Sequence, residues 1–554
     1  MRHLMTSKLF NLKLSNSPSY KRLSYALFSA IAIFILLTFK QYGVSNDEEV
    51  QHVYGRLLLK FYSSGFLDQS AFTYKNLYLY GGFFDLLAAS LEKILPIWVW
   101  DIRHLLSALF GLAGIIAVYK ITEKLAGERA AFLAALLLTI TGAWSGAMFT
   151  HTKDVSFGAC MTWALYYTIV ISDKLDRIPR NLSIKLGIAV GFALGLRIGG
   201  AFAVIYLLLL VLIASLIQAP SFKEKLNFYT RAFIGLFPAG IVALALMALF
   251  WPWAMMGADH ILIAAKSFSH FEFDMSTIAN GQWFSIGDIS RFYLLQYLAI
   301  RLPEVFLLGL LAGLIMCGAR LLRINNHFRA YFSEKLPEIT LAIILLFPLL
   351  FVLYDRPALY NGVRHFTFII PPLAIFAGIG LSKAYQAFKT YPRWKMILTT
   401  ACLLLASNTC YLLFKLHPYQ YLYYNHFAAE SMQQAEHHWE GDYWSSNIIE
   451  SSKILTDYIN NEEARLAKKS DKPYYVAVCA ESFQGQVYLD KRFVVTRDWI
   501  RADFYISATT MNNDAMLNGK TIGTIERLGA KIAVVKDRRD LVGQDRRPHQ
   551  AKPD

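Results

Sequence analysis

Four short polar clusters stand out against an otherwise apolar chain. In SNDEEVQHVYGRLLLKFY, Ser45 followed three residues later by Glu48 is a capping-box pattern that starts a helix at about Asp47. On that helix Glu48 and His52 share a face one turn apart, and Asp47 lies at the N-terminal end, where the macrodipole favours an ionised carboxylate. An ionised, positioned carboxylate is what a general base requires; a capped amphipathic helix with a solvated acidic edge accounts for the same residues. In FTHTKDVSFGACMTW, His151, Lys153 and Asp154 sit between two apolar runs with almost no other polar residue nearby. Snorkelling accounts for Lys153, but a carboxylate gains nothing from lipid, so Asp154 is expected to face a wet cavity. Arg197 in LGLRIGG stands at a turn among glycines that allow close approach of backbone or ligand, and reads equally well as a plain loop arginine. In DRPALYNGVRHFTFIIPPLAIFAG, Arg364 and His365 stand at the mouth of an apolar run, with Tyr360 one turn before. A planar guanidinium fork there matches phosphate oxygens in a bidentate way. Carboxylates for a hydroxyl proton and cations for a departing phosphate are the pair needed to move a sugar from a lipid-linked phosphate.

The elements that must position these groups are membrane helices. Of 554 residues, 55% are hydrophobic and 17% charged, which no soluble domain of this size usually shows. The net charge of +15 is scattered between apolar stretches, so it reads as membrane orientation, and nucleic-acid binding is set aside. Five cysteines form no visible disulfide framework. Runs able to span are Leu23 to Phe39, Arg103 to Tyr119, Ala130 to Ala147, Val155 to Ile171, Ser183 to Leu196 and Gly199 to Ile217. Ala232 to Trp253, Glu304 to Cys317, Glu338 to Tyr354, Phe366 to Leu381 and Met396 to Phe414 follow, giving about eleven spans, or about twelve if Tyr80 to Pro96 also crosses. That stretch carries Asp85, Glu92 and Lys93 and is read as a surface helix. The basic loops around Lys120, Lys174 and Lys223 then all fall inside, and loops 41–101 and 254–303 fall outside. If it crossed, Asp47 and Asp154 would lie on opposite faces.

The expected organisation is a cytoplasmic basic N-terminus (1–22), a transmembrane domain (23–415), an external α/β domain (416–537) and a polar, disordered tail (538–554). The α/β reading rests on a helix from Ser445 to Ile459 and on strand-like runs at Tyr474, Phe493, Asp503 and Lys531.

The ordered set DE (Asp47, Glu48), KDVSF (Lys153 to Phe157), LRIGG (Leu196 to Gly200) and YNGVRHFTFIIPPLA (Tyr360 to Ala374) resembles the protein O-mannosyltransferase family and its bacterial relatives, which include aminoarabinose transferases. HPYQYLYYN (His417 to Asn425) and GDYWSSN (Gly441 to Asn447) resemble a segment that follows the last spans in bacterial members. The resemblance implies a polytopic α-helical GT-C glycosyltransferase in a bacterial inner membrane, with its active site outside. It implies inverting transfer from a polyprenyl-phosphate sugar to a lipid, glycan or protein acceptor. It maps the catalytic carboxylate onto Asp47, with Glu48 beside it and Asp154 as the second-loop acid. His52, His151, Lys153, Arg197, Tyr360, Arg364 and His365 are the candidate substrate-binding residues. A third acid, Glu49, leaves the register open by one residue, and Val155 and Ser156 stand where relatives carry a proline. Metal-ligand spacing is lacking, and a divalent ion stays open. A flippase for lipid-linked saccharides would also gather charges at a membrane face, but commonly shows internal repeats and midplane charges, which this sequence lacks. A sensor or scaffold leaves the loop charges unexplained.

Overall fold

In a computed structural model, residues 18–269, 275–322, 332–467 and 469–541 are described. The basic segment 1–17 and residues 542–554 of the expected tail lie outside them. Inside a bilayer, backbone polar groups must be satisfied within the segment, so the long apolar runs fold as helices. Among the described residues eight helices are long and apolar enough to cross, and two bent pairs bring the number to ten. The span read from Ser183 to Leu196 is the helix Arg180–Leu194, whose 15 residues, about 22 Å, are short for a core about 30 Å thick. It nevertheless runs from the Asp173 end of Thr152–Ser172 back to Arg197 beside Asp154. One bent pair, Tyr293–Arg301 with Glu304–Arg320, turns by 117°. The cause is Pro303, which holds Leu302 in extended geometry and ends the first helix.

The first loop folds against the membrane domain as two helices, Glu48–Ser63 and Phe83–Glu92. The second has ten residues, about 15 Å, so it cannot cross a bilayer and the surface reading of Tyr80 to Pro96 stands. The two helices touch where Gly55 faces Asp85: a Cβ there would fall 2.2 Å from the Asp85 carbonyl oxygen. Only glycine permits that approach. The capping box is half formed. Asp47 is the N-cap, the Glu48 carboxylate accepts from the Ser45 N–H at 2.9 Å, and Ser45 Oγ donates to the same carboxylate rather than accepting from the helix.

After the last long helix, Pro392–Leu416, the chain returns along the membrane domain. Arg301 pins it there, donating to the carbonyls of Tyr421 and Tyr423 at 2.7 and 3.3 Å and stacking 3.8 Å from the Tyr424 ring. Gly43 of the first loop packs on Ser446 so closely that a Cβ would meet its carbonyl oxygen at 2.1 Å.

A hairpin of β1 (Ser276–Ala279) and β2 (Gln282–Ser285) lies in the loop between helices. A helix Ile448–Leu466 then leads into a five-stranded sheet of β3 (Tyr474–Cys479), β4 (Phe493–Thr496), β5 (Phe504–Ala508), β6 (Lys520–Arg527) and β7 (Ala530–Asp537), in the order β4-β3-β5-β7-β6. β3 pairs in parallel with β4 and β5, and β7 pairs antiparallel with β5 and β6. β6, rich in polar residues on both faces, gave no alternating signal. The tail does not begin at Arg538: that side chain is fully buried and its Nε donates to the Asn518 carbonyl at 2.9 Å, while Arg539 pairs with Glu462 at 2.7 Å. Backbone carbonyls and carboxylates left without these arginines would be buried unpaired, so the fold extends past 538.

Candidate active site

The four clusters converge. Arg364, at the start of the span Arg364–Thr390, donates from Nη2 to Asp47 at 2.6 Å and from Nε to Asp154 at 3.2 Å. Asp154, in the first turn of Thr152–Ser172, also accepts from Arg197 Nη2. The result is an alternating row, Asp47, Arg364, Asp154, Arg197. Because one guanidinium reaches both acids, Asp47 and Asp154 lie on the same face of the membrane domain. The row is graded in exposure: the Asp47 side chain is 40% exposed, that of Arg364 10% and that of Asp154 3%. Arg364 also lies 4.0 Å over the Trp444 ring, a cation–π contact that fixes its plane.

A second row stands behind the first. Arg103 is fully buried and meets Glu48 at 3.6 Å and Asp85 at 3.1 Å; Lys153 meets the other Asp85 oxygen at 3.0 Å. Gln51 links the rows, accepting from Arg103 at 3.0 Å and from Thr152 Oγ1 at 2.8 Å. Burial pushes the Glu48 carboxyl up, but His104, Arg103 and the Ser45 N–H together bring it below its usual range. Glu48 is therefore an ionised strut with no surface on the cavity. Removing one partner of a buried ion pair leaves an uncompensated charge. Arg103→Leu is accordingly expected to lower stability by about 3–5 kcal/mol, read as thermal unfolding of the purified protein in detergent.

The first row borders a cavity of about 660 Å³. Asp47, Lys153, Arg197, Tyr360, Arg364 and His365 all line it. Asp154, expected to face a wet cavity, does not line it and is buried behind the arginines, and His52 and His151 do not line it either. His52 faces Glu92 at 3.2 Å and the Trp100 ring, and burial with the Arg103 and Arg56 guanidinium groups pushes its imidazole down to about 4, so it is neutral at ordinary pH. His151 sits behind the wall, its Nε2 2.7 Å from the hydroxyl of Tyr443, which does line the cavity. The helix spacing that joined Glu48 to His52 marks a buried face and not the face on the cavity.

Sequence reasoning gave no role to several contributors. Tyr80 comes from the first loop, and Glu440, Tyr443 and Trp444 come from the segment after the last span. Burial pushes the Glu440 carboxyl up, partly offset by Thr277 Oγ1 at 2.5 Å and the Ile278 N–H at 3.3 Å. The C-terminal domain closes the cavity with residues from 479–481 and 510–513. It is docked by Gln484, whose Nε2 donates to the carbonyls of Val44 at 2.6 Å and Trp444 at 3.2 Å. Among the described residues no three His, Cys, Asp or Glu side chains converge as metal ligands. Asp47 and Asp154 are already matched by two arginines, a set that suits an anion more than a cation.

Residues 93–253 match the family model described as dolichyl-phosphate-mannose-protein mannosyltransferase. No curated protein sequence matches the chain. The fold is similar to that of the Archaeoglobus fulgidus oligosaccharyltransferase in its apo form, at 11% identity, over 84% of this chain and 63% of that one, with a TM-score of 0.50. Apo ArnT from Cupriavidus metallidurans aligns at 14% identity over 92% of this chain and 97% of its own, with a TM-score of 0.46. The arabinofuranosyltransferase AftD from Mycobacteria aligns at 13% identity over 92% and 40%, with a TM-score of 0.45. The chain is thus similar to that mannosyltransferase family over residues 93–253, and its multi-pass helical fold is similar to that of the oligosaccharyltransferase.

Proposed function

We propose that the protein transfers a sugar from a polyprenyl-phosphate carrier to an extracytoplasmic acceptor in a bacterial inner membrane, with Asp47 as general base and Arg364 and Arg197 on the carrier phosphate. The observation that carries this reading is the single guanidinium shared between Asp47 at the cavity and Asp154 behind it. The phosphodiester of the donor, entering the cavity, competes for the Arg364 fork, which suits its two free oxygens bidentately, and releases the Asp47 carboxylate toward an acceptor hydroxyl. Asp154 keeps both arginines in position throughout. The acceptor oxygen then bonds to the anomeric carbon as its proton passes to Asp47. The bond from that carbon to the phosphate oxygen breaks, and the phosphate departs as a dianion held by the arginines. A single displacement inverts the anomeric centre. Arg197 Nε and Trp444 Nε1 are buried with no hydrogen-bond partner among the described residues, a cost that an oxygen-rich ligand offsets. The family model, named for a dolichyl-phosphate sugar donor, supports the donor class.

The positive-inside rule supports the orientation. Val99–Ala126 and Thr152–Ser172 both begin beside the cavity and end at Lys124 and Asp173, which pair with each other at the far end. Lys120, Lys124, Lys174 and Arg177 thus gather on the opposite face from Asp47. The test is incubation of the purified protein in proteoliposomes with a panel of radiolabelled polyprenyl-phosphate hexoses and pentoses and native envelope acceptors. Consumption of one donor with release of polyprenyl phosphate is expected. Uptake of label across the bilayer with no donor consumed would overturn the reading in favour of a flippase.

A further inference from the structure

We propose that the carboxyl edge of the C-terminal sheet is the acceptor subsite, and that it takes a saccharide headgroup; this rests on the transferase reading above. The chain leaves β3 through 480–481 and the helix Ser482–Tyr488 toward β4, on one side of β3. It then crosses to β5 on the other side and leaves through Thr510–Ala515. Both pairings of β3 are parallel, so the carboxyl ends of β3 and β5 flank a point where the strand order reverses. In open α/β sheets ligands bind in that crevice, outside the carboxyl ends of the strands. These two loops are the ones this sheet turns to the membrane cavity: Cys479, Ala480 and Glu481 from the first, Thr510, Met511 and Asn513 from the second.

The second loop is built to hold its shape. Met511 and Asn512 both take left-handed backbone geometry, at φ 61° and 56°. Consecutive residues of this kind persist only where the surroundings fix them, and they gather at ligand clamps. Tyr505 Oη donates to the Asn513 carbonyl at 2.6 Å and Lys536 Nζ to the Asp514 carbonyl at 2.5 Å, so the loop is tied to β5 and β7. Thr510 packs at Gly441, where a Cβ would meet its own Cβ at 3.2 Å, three residues before the Trp444 that stacks on Arg364.

Besides its charged groups, the cavity wall carries neutral amides and hydroxyls at Asn76, Ser276, Asn361, Thr510 and Asn513, and the rings of Tyr80, Tyr360 and Tyr443. Neutral donors and acceptors that fix orientation, set beside aromatic faces, suit a polyhydroxylated ring. A peptide acceptor held by strand addition needs an open sheet edge. The edges of this sheet are β4 and β6, and neither contributes to the cavity wall.

The experiment follows label from the consumed donor in proteoliposomes supplied separately with the glycolipid and polysaccharide extract and with the protein fraction of the native envelope. Label is expected in the saccharide-bearing extract. Asn513→Ala and Thr510→Ala are expected to raise the KM for that extract tenfold or more, with the donor KM moved less than threefold. Label in the protein fraction, or a fall in kcat with acceptor KM unmoved, would overturn the proposal. Failure of the wild-type protein to consume any donor would instead bring down the transferase reading on which it rests.

Discussion

Asp47→Asn is expected to cut sugar transfer on the order of a hundred- to ten-thousandfold, the usual contribution of a positioned general base, while donor binding and folding persist. The substitution is nearly isosteric, and the Asp47 side chain makes no cap hydrogen bond to its helix that could be lost. Its cost should therefore fall on proton removal. Arg364 loses one partner and keeps the other, Asp154, so the guanidinium stays in place. The three consecutive acids separate by environment: Asp47 borders the cavity, Glu48 is buried against Arg103 and His104, and Glu49 is exposed to solvent. That separation settles which of them the comparison variants should be. Glu48→Gln removes a buried charge from a matched row and is expected to lower thermal stability first. Glu49→Gln should leave both transfer and stability near wild type. The measurements are turnover of labelled donor, donor affinity and thermal unfolding on the same preparations. Wild-type turnover by the Asp47→Asn protein would remove Asp47 from the role of base.

How much of this was legible beforehand depended on whether a group's partner was local. Asp154 announced itself because a carboxylate flanked by two apolar runs has no lipid-facing reason to exist, and Arg364 because a guanidinium opened a span. Arg364 lines the cavity; Asp154 does not face it and is buried behind the wall, holding Arg364 and Arg197. The second row was hidden because its members' partners lie far off in the chain. Asp85 was noted only as a charge arguing against a span, and Arg103 counted merely as the first residue of one, although the two meet at 3.1 Å with no exposed surface. The histidines show the opposite error. Periodicity put His52 beside Glu48 correctly, but a shared helical face says nothing about whether that face meets a ligand or a neighbouring helix. Length and apolarity alone pass ten of the about eleven spans; Arg180–Leu194 is too short for that test, yet it joins Asp173 at the far end to Arg197 beside Asp154 at the cavity. Strands β3, β4, β5 and β7 were visible as β-branched runs. That the carboxyl ends of β3 and β5 close a cavity built largely from residues more than a hundred positions earlier was not, because docking of one domain on another leaves no local pattern.

The second large effect is expected at Arg364. Arg364→Lys keeps the charge and should still lower kcat about a hundred- to a thousandfold, the range found when one preorganised donor to a developing negative charge is removed. A lysine ammonium is a point charge and cannot span Asp47 and Asp154 at 2.6 and 3.2 Å while lying flat on Trp444 at 4.0 Å. Loss of the fork acts twice: the departing phosphate loses a bidentate partner, and Asp47 loses the group that positions it before the donor arrives. The donor KM should rise along with the fall in kcat, because ground-state phosphate binding uses the same nitrogens. Folding should survive, since buried Asp154 retains Arg197. The decisive measurement is the double variant. If Arg364 and Asp47 work as one unit, Asp47→Asn with Arg364→Lys should be little worse than Asp47→Asn alone, because residues acting together are strongly non-additive. Multiplicative losses would mean that base and phosphate clamp act independently, and that the shared guanidinium is a resting-state ion pair with no part in coupling donor arrival to release of the base.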